Sequence, residues 1–504
     1  MTNNRAGPGG VRYGARDAGY FARRGLTRHA GVWSLWALGV GAVLSGHFSG
    51  WNFGLGTGGW GGMLAAGAII TVMYLGLVFS IAEMSAALPH TGAAYSFART
   101  AMGPWGGFVT GLFENVEYVL APAVIVTFIS AYASAILGIG PEWLPAIWGG
   151  VYVLFLGLNI FGVALSYRVT LVVTLASLGV LIVFWCSAVP QIDISRFALD
   201  IGADADGAMV HLPEGGGSPF PFGLAGVLAS LPFAVWLFLA VEQIPLAAEE
   251  SVDPRRDMPR GILLAIGTLA LSAALIVLLN PSAGVGAHRL ATSSEPLLDG
   301  FRALYGESGP VASLLGLVAI LGLAASFHTI IYAQGRQIYS LSRAGYFPTG
   351  LSVTHGTYRT PHVAMIGGAV LGLAVMLTIW FANGGGGPGP EQRGDDIIGT
   401  VMLNMVVFGA MLSYVAQAAS FIVLRRTLPD ISRPFRSPLG VPGAAVTIVI
   451  AIVTLFYQLQ DPNFSRGVVW VIVWLAVGVA YFALVGRHRL ILSPEEEFAL
   501  AHKR

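Results

Sequence analysis

Charged side chains are scarce: Asp, Glu, Lys and Arg make up only 11% of the 504 residues, against roughly 25% in a soluble globular protein. A water-soluble enzyme is thereby excluded. Cysteine is nearly absent as well. Cys186 stands alone in an apolar stretch, so neither a disulfide framework nor a thiolate metal site is available. There is no Walker A loop, nucleophile triad, metal-spaced His/Cys set or large sensory region, which argues against ATP-driven transport, a membrane enzyme and a receptor. The net charge of +1 comes from side chains scattered among short loops rather than from a patch, so a nucleic-acid partner has no electrostatic basis. No cleaved leader is expected either, because residues 1–29 are polar and rich in Gly and Arg, and the apolar run after them exceeds a signal-peptide core of about 7–15 residues.

Long apolar runs are what the chain has in abundance. A helix crossing about 30 Å of hydrocarbon needs roughly 20 residues. By that measure, apolar segments lie near 31–55, 61–87, 104–137, 145–164, 169–189, 222–247, 260–281, 309–340, 362–382, 398–424, 441–459 and 467–486. The runs are continuous rather than alternating, which predicts an all-α integral membrane bundle of twelve spans and not a barrel. An even number of spans places both ends on one side. Of the 27 Lys and Arg residues, 22 fall on that side and five on the other (Arg196, Arg289, Arg302, Arg393 and Arg466), so both termini are expected in the cytoplasm of a cell whose inner membrane holds the bundle. The expected organisation is a basic tail over 1–29, a transporter domain over 30–486 and a second tail over 487–504. Within the domain, 30–189 and 222–424 form two halves, followed by two added helices in 441–486. The stretches 190–221 and 383–390 read as solvated outer loops.

Two segments carry helix-breaking residues in matching places. The first contains Gly39, Gly41, Gly46 and Gly50 with Ser45 and Ser49; the sixth contains Pro232 and Pro245. Gly weakens a helix by about 1 kcal/mol relative to Ala, and Pro removes a backbone donor. Interrupted spans at equivalent positions of two five-span halves point to an inverted-repeat transporter with a mid-membrane site, although glycines also serve close helix packing. Four acids lie inside the apolar spans: Glu83, Glu114, Glu117 and Glu242. Each costs a few kcal/mol in hydrocarbon unless it faces a partner, water or the bundle interior.

The stretch Phe79-Ser-Ile-Ala-Glu-Met-Ser-Ala-Ala-Leu-Pro-His-Thr-Gly-Ala-Ala-Tyr95 resembles the second-span signature of the amino acid-polyamine-organocation superfamily, and Ala247-Ala-Glu-Glu-Ser-Val-Asp-Pro-Arg-Arg-Asp-Met-Pro-Arg-Gly261 resembles its loop after the sixth span. Three further stretches resemble its ethanolamine permease branch: Ser45–Leu55, Glu117–Ala123 and Pro232–Glu242. The resemblance implies a LeuT-like five-plus-five repeat with discontinuous helices 1 and 6, alternating access, and a substrate held among the first, third, sixth, eighth and tenth spans.

Members that carry amino acids usually place a small Gly-Ser-Gly run in the broken first helix, where free N–H groups bind a carboxylate. Here Ser45-Gly46-His47-Phe48 stands in its place, and Ala240 replaces the glycine near the acidic position of the sixth span. A protonated amine without a carboxylate needs an acid instead, which Glu117 or Glu242 supplies. Glu114 and Glu117 share a helix face, so at most one carries a full charge unless a partner is present. Glu114 reads as a coupling group or as a protonated interhelical contact. Glu242 reads as a pathway residue or as a cap on the unwound segment, and Glu83 as a gating or proton-transfer group near a helix end. Phe48, Trp51, Tyr118, Trp236 and Phe238 could form an aromatic cage for an ammonium group, or simply pack. Ser326 and His328, on the eighth span, are candidates to reach the substrate pocket, His328 reading also as a hydrogen-bonded interior residue. Some proton-coupled relatives carry a lysine in the fifth span where Ser177 stands, so the coupling ion, proton or sodium, stays open, as does plain exchange. No cofactor is expected. The two functional expectations are import of ethanolamine or a similar primary amine, and an amino acid permease or exchanger of the same fold.

Overall fold

The computed structural model describes residues 5–14, 19–306, 309–382, 394–460, 462–493, 497 and 501. The outer loop expected at 383–390 lies outside these residues, as do Arg16, Arg393 and the last residues of the C-terminal tail. The helices used below are α1 (Val32–Phe48), α2 (Phe53–Ala87), α3 (Ala93–Leu137), α4 (Leu144–Ile160), α5 (Val163–Ala188), α6 (Gly223–Ala229), α7 (Leu231–Val235), α8 (Pro254–Leu279), α9 (Pro310–Arg343), α10 (His362–Ala382), α11 (Gly394–Thr427), α12 (Gly440–Gln460) and α13 (Pro462–Leu484). Among the described residues, ten helices are long and apolar enough to cross a bilayer. The two remaining apolar segments fail that length test because they are interrupted: α1 stops at 17 residues, and residues 223–250 are split into three pieces.

Glycines in the left-handed region set where long helices bend. Gly59 (φ 69°) separates the start of α2 from its main rod, and Gly103 (φ 81°) does the same in α3. A side chain there would meet the Cβ clash that makes this region costly for L residues. The main rods therefore begin close to residues 61 and 104, where the hydropathy of the sequence turns apolar.

Helix α3 is the central post of the bundle, packed chiefly against α11 and α9, while α1 is enclosed by α5, α8 and α9. Large apolar side chains remain exposed on the outer helices, among them Val153, Val172, Val370, Trp470 and Leu484. An apolar outer wall of this kind is stable only against lipid, since a monomer in water rarely tolerates so large a patch. The 190–221 loop forms a hairpin, with Ile201–Ala203 antiparallel to Met209–His211. It is pinned to the bundle where Asp200 accepts the backbone N–H of His288 at 2.9 Å and where the Gly61 N–H donates to the Pro219 carbonyl.

The opposite end is closed by ion pairs. Glu250 accepts from Arg336 at 2.7 Å, from the Tyr167 hydroxyl at 2.8 Å and from the Tyr332 hydroxyl at 2.5 Å, and the Arg336 guanidinium lies 3.5 Å over the Tyr332 ring. Arg343 pairs with Glu249, which also faces His90. The segment before α1 crosses this end: Ala30 N–H donates to the Glu250 carbonyl, and Tyr20 donates to the carbonyl of Arg343. Arg99, Arg336 and Arg343, all counted among the basic residues of one side, are buried; removing them from the tally leaves its sign unchanged.

Candidate functional site

In α1 the backbone ladder is opened by a side chain from α9. The Ser45 N–H donates to Ser326 Oγ at 2.8 Å, and that hydroxyl donates to the Gly41 carbonyl at 2.6 Å, so Ser326 replaces one direct i to i−4 bond. Insertion of a polar group into the ladder is a recognised cause of helix distortion. Helix α1 then ends at Phe48, Ser49 is extended, and Gly50 adopts φ 95°. The groups freed there find partners: Tyr132 donates to the Phe48 carbonyl at 2.8 Å, and Asn52 accepts from Gly50 N–H while donating to the Leu290 and Ser293 carbonyls. The interruption thus falls at 49–52, later than most of the glycines. Gly46 serves contact instead, since a Cβ there would lie 2.0 Å from the Trp236 carbonyl oxygen.

The second interruption runs from Trp236 to Ala240, between α7 and a 3-10 helix over Val241–Glu250. Ala240 has φ 76°, a left-handed conformation that costs a non-glycine residue about 1–2 kcal/mol. His47 stitches the two breaks together. Its Nε2–H donates to the Leu237 carbonyl at 3.0 Å and its Nδ1 accepts from Ser272 at 3.1 Å, which leaves the imidazole no free nitrogen. Gln243 adds a bond to the Leu38 carbonyl at 3.0 Å.

Beside these breaks the carboxyl groups of Glu117, from α3, and Glu242, from the 3-10 helix, face each other. Glu117 is 1% exposed and Glu242 3%; none of their four oxygens makes a hydrogen bond of full geometry, and what approaches them is the facing carboxyl and, for Glu242, the Tyr414 hydroxyl and the backbone N–H groups of its own segment. Buried polar groups are nearly always paired, so an orphan set calls for an explanation. The shell around them is aromatic. Phe238 lies 5.2 Å from the Tyr74 ring, and the Tyr74 hydroxyl meets that of Tyr414 at 3.0 Å. Trp236 packs against Phe128, and Tyr118 acts electrostatically on both acids. The polar atoms of Tyr118, Trp236 and Trp51 are buried without partners.

The structure separates the other sequence candidates from this pair. Glu114 lies within electrostatic reach of Glu242 but accepts a bond from Gln337 of α9 at 2.6 Å. Glu83 sits at a helix end, bound to Arg425 at 2.5 Å, Arg433 at 3.1 Å and the Ser437 N–H at 2.8 Å. The Phe48 ring packs where Gly322 leaves room. His328 is engaged by Asn159 and Ser166, and Ser177 bonds back to the Val173 carbonyl of its own helix. Among the described residues no group of three or more His, Cys, Asp or Glu is placed to hold a metal ion.

Tyr74 and Tyr414 were not foreseen from the sequence. They come from α2 and α11, carry no local motif, and are recognisable only by what they touch. Ser326→Ala is expected to leave both the Ser45 N–H and the Gly41 carbonyl unpaired, lowering stability by about 1–3 kcal/mol. Ser326→Thr retains the hydroxyl and should melt close to the wild type in detergent; equal melting of all three would remove the bridging role.

Comparison with known proteins places this geometry in a family. Residues 31–480 match the family described as amino acid permease. An uncharacterized transporter of Rhizobium meliloti (strain 1021) is 30% identical over 358 residues, covering 68% of this chain and 70% of its own. A methylthioribose transporter of Bacillus subtilis (strain 168) is 26% identical over 488 residues, covering 93% and 96%. A branched-chain amino acid permease of the same organism is 24% identical over 471 residues, covering 92% and 94%. The family match runs from the start of α1 into α13 and takes in both interrupted segments, and the chain therefore belongs to the amino acid permease family of the amino acid-polyamine-organocation superfamily, a family of transporters rather than enzymes.

Proposed function

We propose that the chain is a secondary transporter that imports ethanolamine or a similar small primary amine by alternating access. In this reading α1 and residues 223–250 are the broken first and sixth spans of a twelve-span, five-plus-five inverted repeat, with both termini in the cytoplasm. The observation that carries it is the Glu117–Glu242 pair: two buried carboxyl groups that face each other, with no full hydrogen bond to any of their four oxygens and no cationic side chain beside them, suit a cation. An ammonium group donates three hydrogen bonds and accepts none, and the aromatic faces of Phe238, Tyr74 and Trp236 suit its alkyl end and its charge. Glu114, Gln337 and the Ser326 bridge support the walls of the site, while Glu83 with Arg425 and Arg433 acts at the cytoplasmic end as a latch.

A second reading, transport of an amino acid, draws on the names of relatives, one of which is a branched-chain amino acid permease. It requires donors for a carboxylate beside α1. The Ser45 N–H is already given to Ser326, so an incoming carboxylate lacks that donor, which favours the amine. A thermal-shift and uptake panel of ethanolamine, methylamine, choline, putrescine, alanine and glutamate on the purified protein separates the two. Stabilisation and competition by short primary amines are expected; a response to alanine alone would overturn the amine reading.

A further inference from the structure

Two buried carboxyl groups that face each other cannot both stay ionised without a cation between them, because burial leaves their repulsion little screened. The groups that act on the pair are Glu114 of α3, held by Gln337 of α9, and the phenols of Tyr74 on α2, Tyr118 on α3 and Tyr414 on α11. Not one of these is a base. From α1 the only titratable group is His47, whose two ring nitrogens are engaged by Leu237 and Ser272. The arginine nearest along α9, Arg336, is held by Glu250. With no base beside the pair, the site is free of charge only when each carboxyl holds a proton.

We propose that the Glu117–Glu242 pair trades one proton for each ammonium group it accepts, so that transport is an electroneutral exchange of an organic cation for a proton. The proposal rests on the amine reading above. When an ammonium group enters, one carboxyl O–H bond breaks, its proton leaves to water on the open side, and the resulting carboxylate balances the cation. The second carboxyl keeps its proton and remains a donor or acceptor for the substrate's other polar group. The loaded site is then neutral, as is the empty one, and both can cross the closed state without carrying charge through hydrocarbon, which is the costly step for any bundle of this kind. On the return leg the pair takes up a proton inside and releases none until the next amine arrives. Direction is set by the amine and proton gradients alone. An alkaline interior opposes accumulation, so net uptake continues only while some reaction inside keeps the free amine low.

The test is calorimetry of ethanolamine binding to the purified protein in phosphate and in HEPES, whose ionisation heats differ. About one proton released per amine bound is expected near neutral pH; Glu242→Gln should keep that release at lower affinity, since the Glu117 carboxyl still trades its proton, and the double variant Glu117→Gln with Glu242→Gln should lose both binding and the buffer-dependent heat. Proteoliposomes on an electrode supply a second measurement that needs no variant: an ethanolamine jump should give no steady current, and a valinomycin-clamped potential should leave the protein-dependent uptake rate unchanged. Binding with buffer-independent heat, or a saturable inward positive current, overturns the exchange and leaves the amine reading standing. Failure of every amine to bind while alanine binds overturns the amine reading itself, and the exchange with it.

Discussion

Glu117→Gln is expected to weaken ethanolamine binding by about 100-fold, which is ~2.7 kcal/mol, within the 2–5 kcal/mol range measured when one member of a buried charged contact is removed. The reason lies in what the glutamine cannot do. Its amide has the size of the carboxyl group but carries no charge, and its NH2 group presents two donors to an ammonium ion that is itself all donor. Folding should not suffer in parallel. The Glu117 oxygens have no full hydrogen bond to lose, and the glutamine amide is as neutral as a protonated carboxyl, so the melting temperature without substrate should stay about the same. The combination of lost binding and retained stability is what distinguishes a ligand from a structural acid. An unchanged affinity in proteoliposomes would take Glu117 out of the site.

The second large effect is expected at the other end of the bundle. Arg336→Met leaves the Glu250 carboxylate buried with only the Tyr167 and Tyr332 hydroxyls against it. Breaking such a pair by removing one partner typically costs about 3–5 kcal/mol, whereas replacing both partners by apolar residues is often close to neutral. The double variant Arg336→Met with Glu250→Met should therefore recover much of the stability lost by the single one. Melting in detergent reads both. If Arg336→Met melts like the wild type, the pair contributes nothing to closing this end. Because Glu250 also receives the Ala30 N–H through its carbonyl, the single variant should additionally expose the segment before α1 to faster hydrogen exchange.

The helical membrane character could be read from composition, since an apolar run of spanning length has few alternatives in lipid. The family resemblance, too, rests on contiguous residues. The positions of the breaks were legible only in outline. Glycines accumulate from Gly39 to Gly50, yet only Gly50 takes a backbone conformation that needs one; Gly39 makes room for Ile244 and Gly46 for the Trp236 carbonyl. A glycine in a sequence announces either freedom of φ or a missing side chain, and nothing local tells the two apart. Ala240 shows the converse, a left-handed residue that its own side chain gives no sign of.

The acids divide along the same line. Helical spacing alone places Glu114 and Glu117 on one face of α3, and apolar neighbours alone mark Glu242 as costly to bury. Whether each acid is paired depended on residues far away in the chain: Gln337 for Glu114, and Arg425 with Arg433 for Glu83, whereas Glu117 and Glu242 face each other among the phenols of Tyr74, Tyr118 and Tyr414 with no cationic partner. Glu250 follows the apolar run 222–247 and Arg336 lies near the end of 309–340, with nothing local to join them, yet they lie 1% exposed or less in a shared network. Periodicity and hydrophobicity are properties of neighbours along the chain, so the sequence by itself determined the membrane-spanning helices, their family and the short list of acids. Pairing is a property of neighbours in space, and only the packing of α3, α9 and the broken segments decided which of those acids meets a cationic or amide side chain and which is left facing another acid.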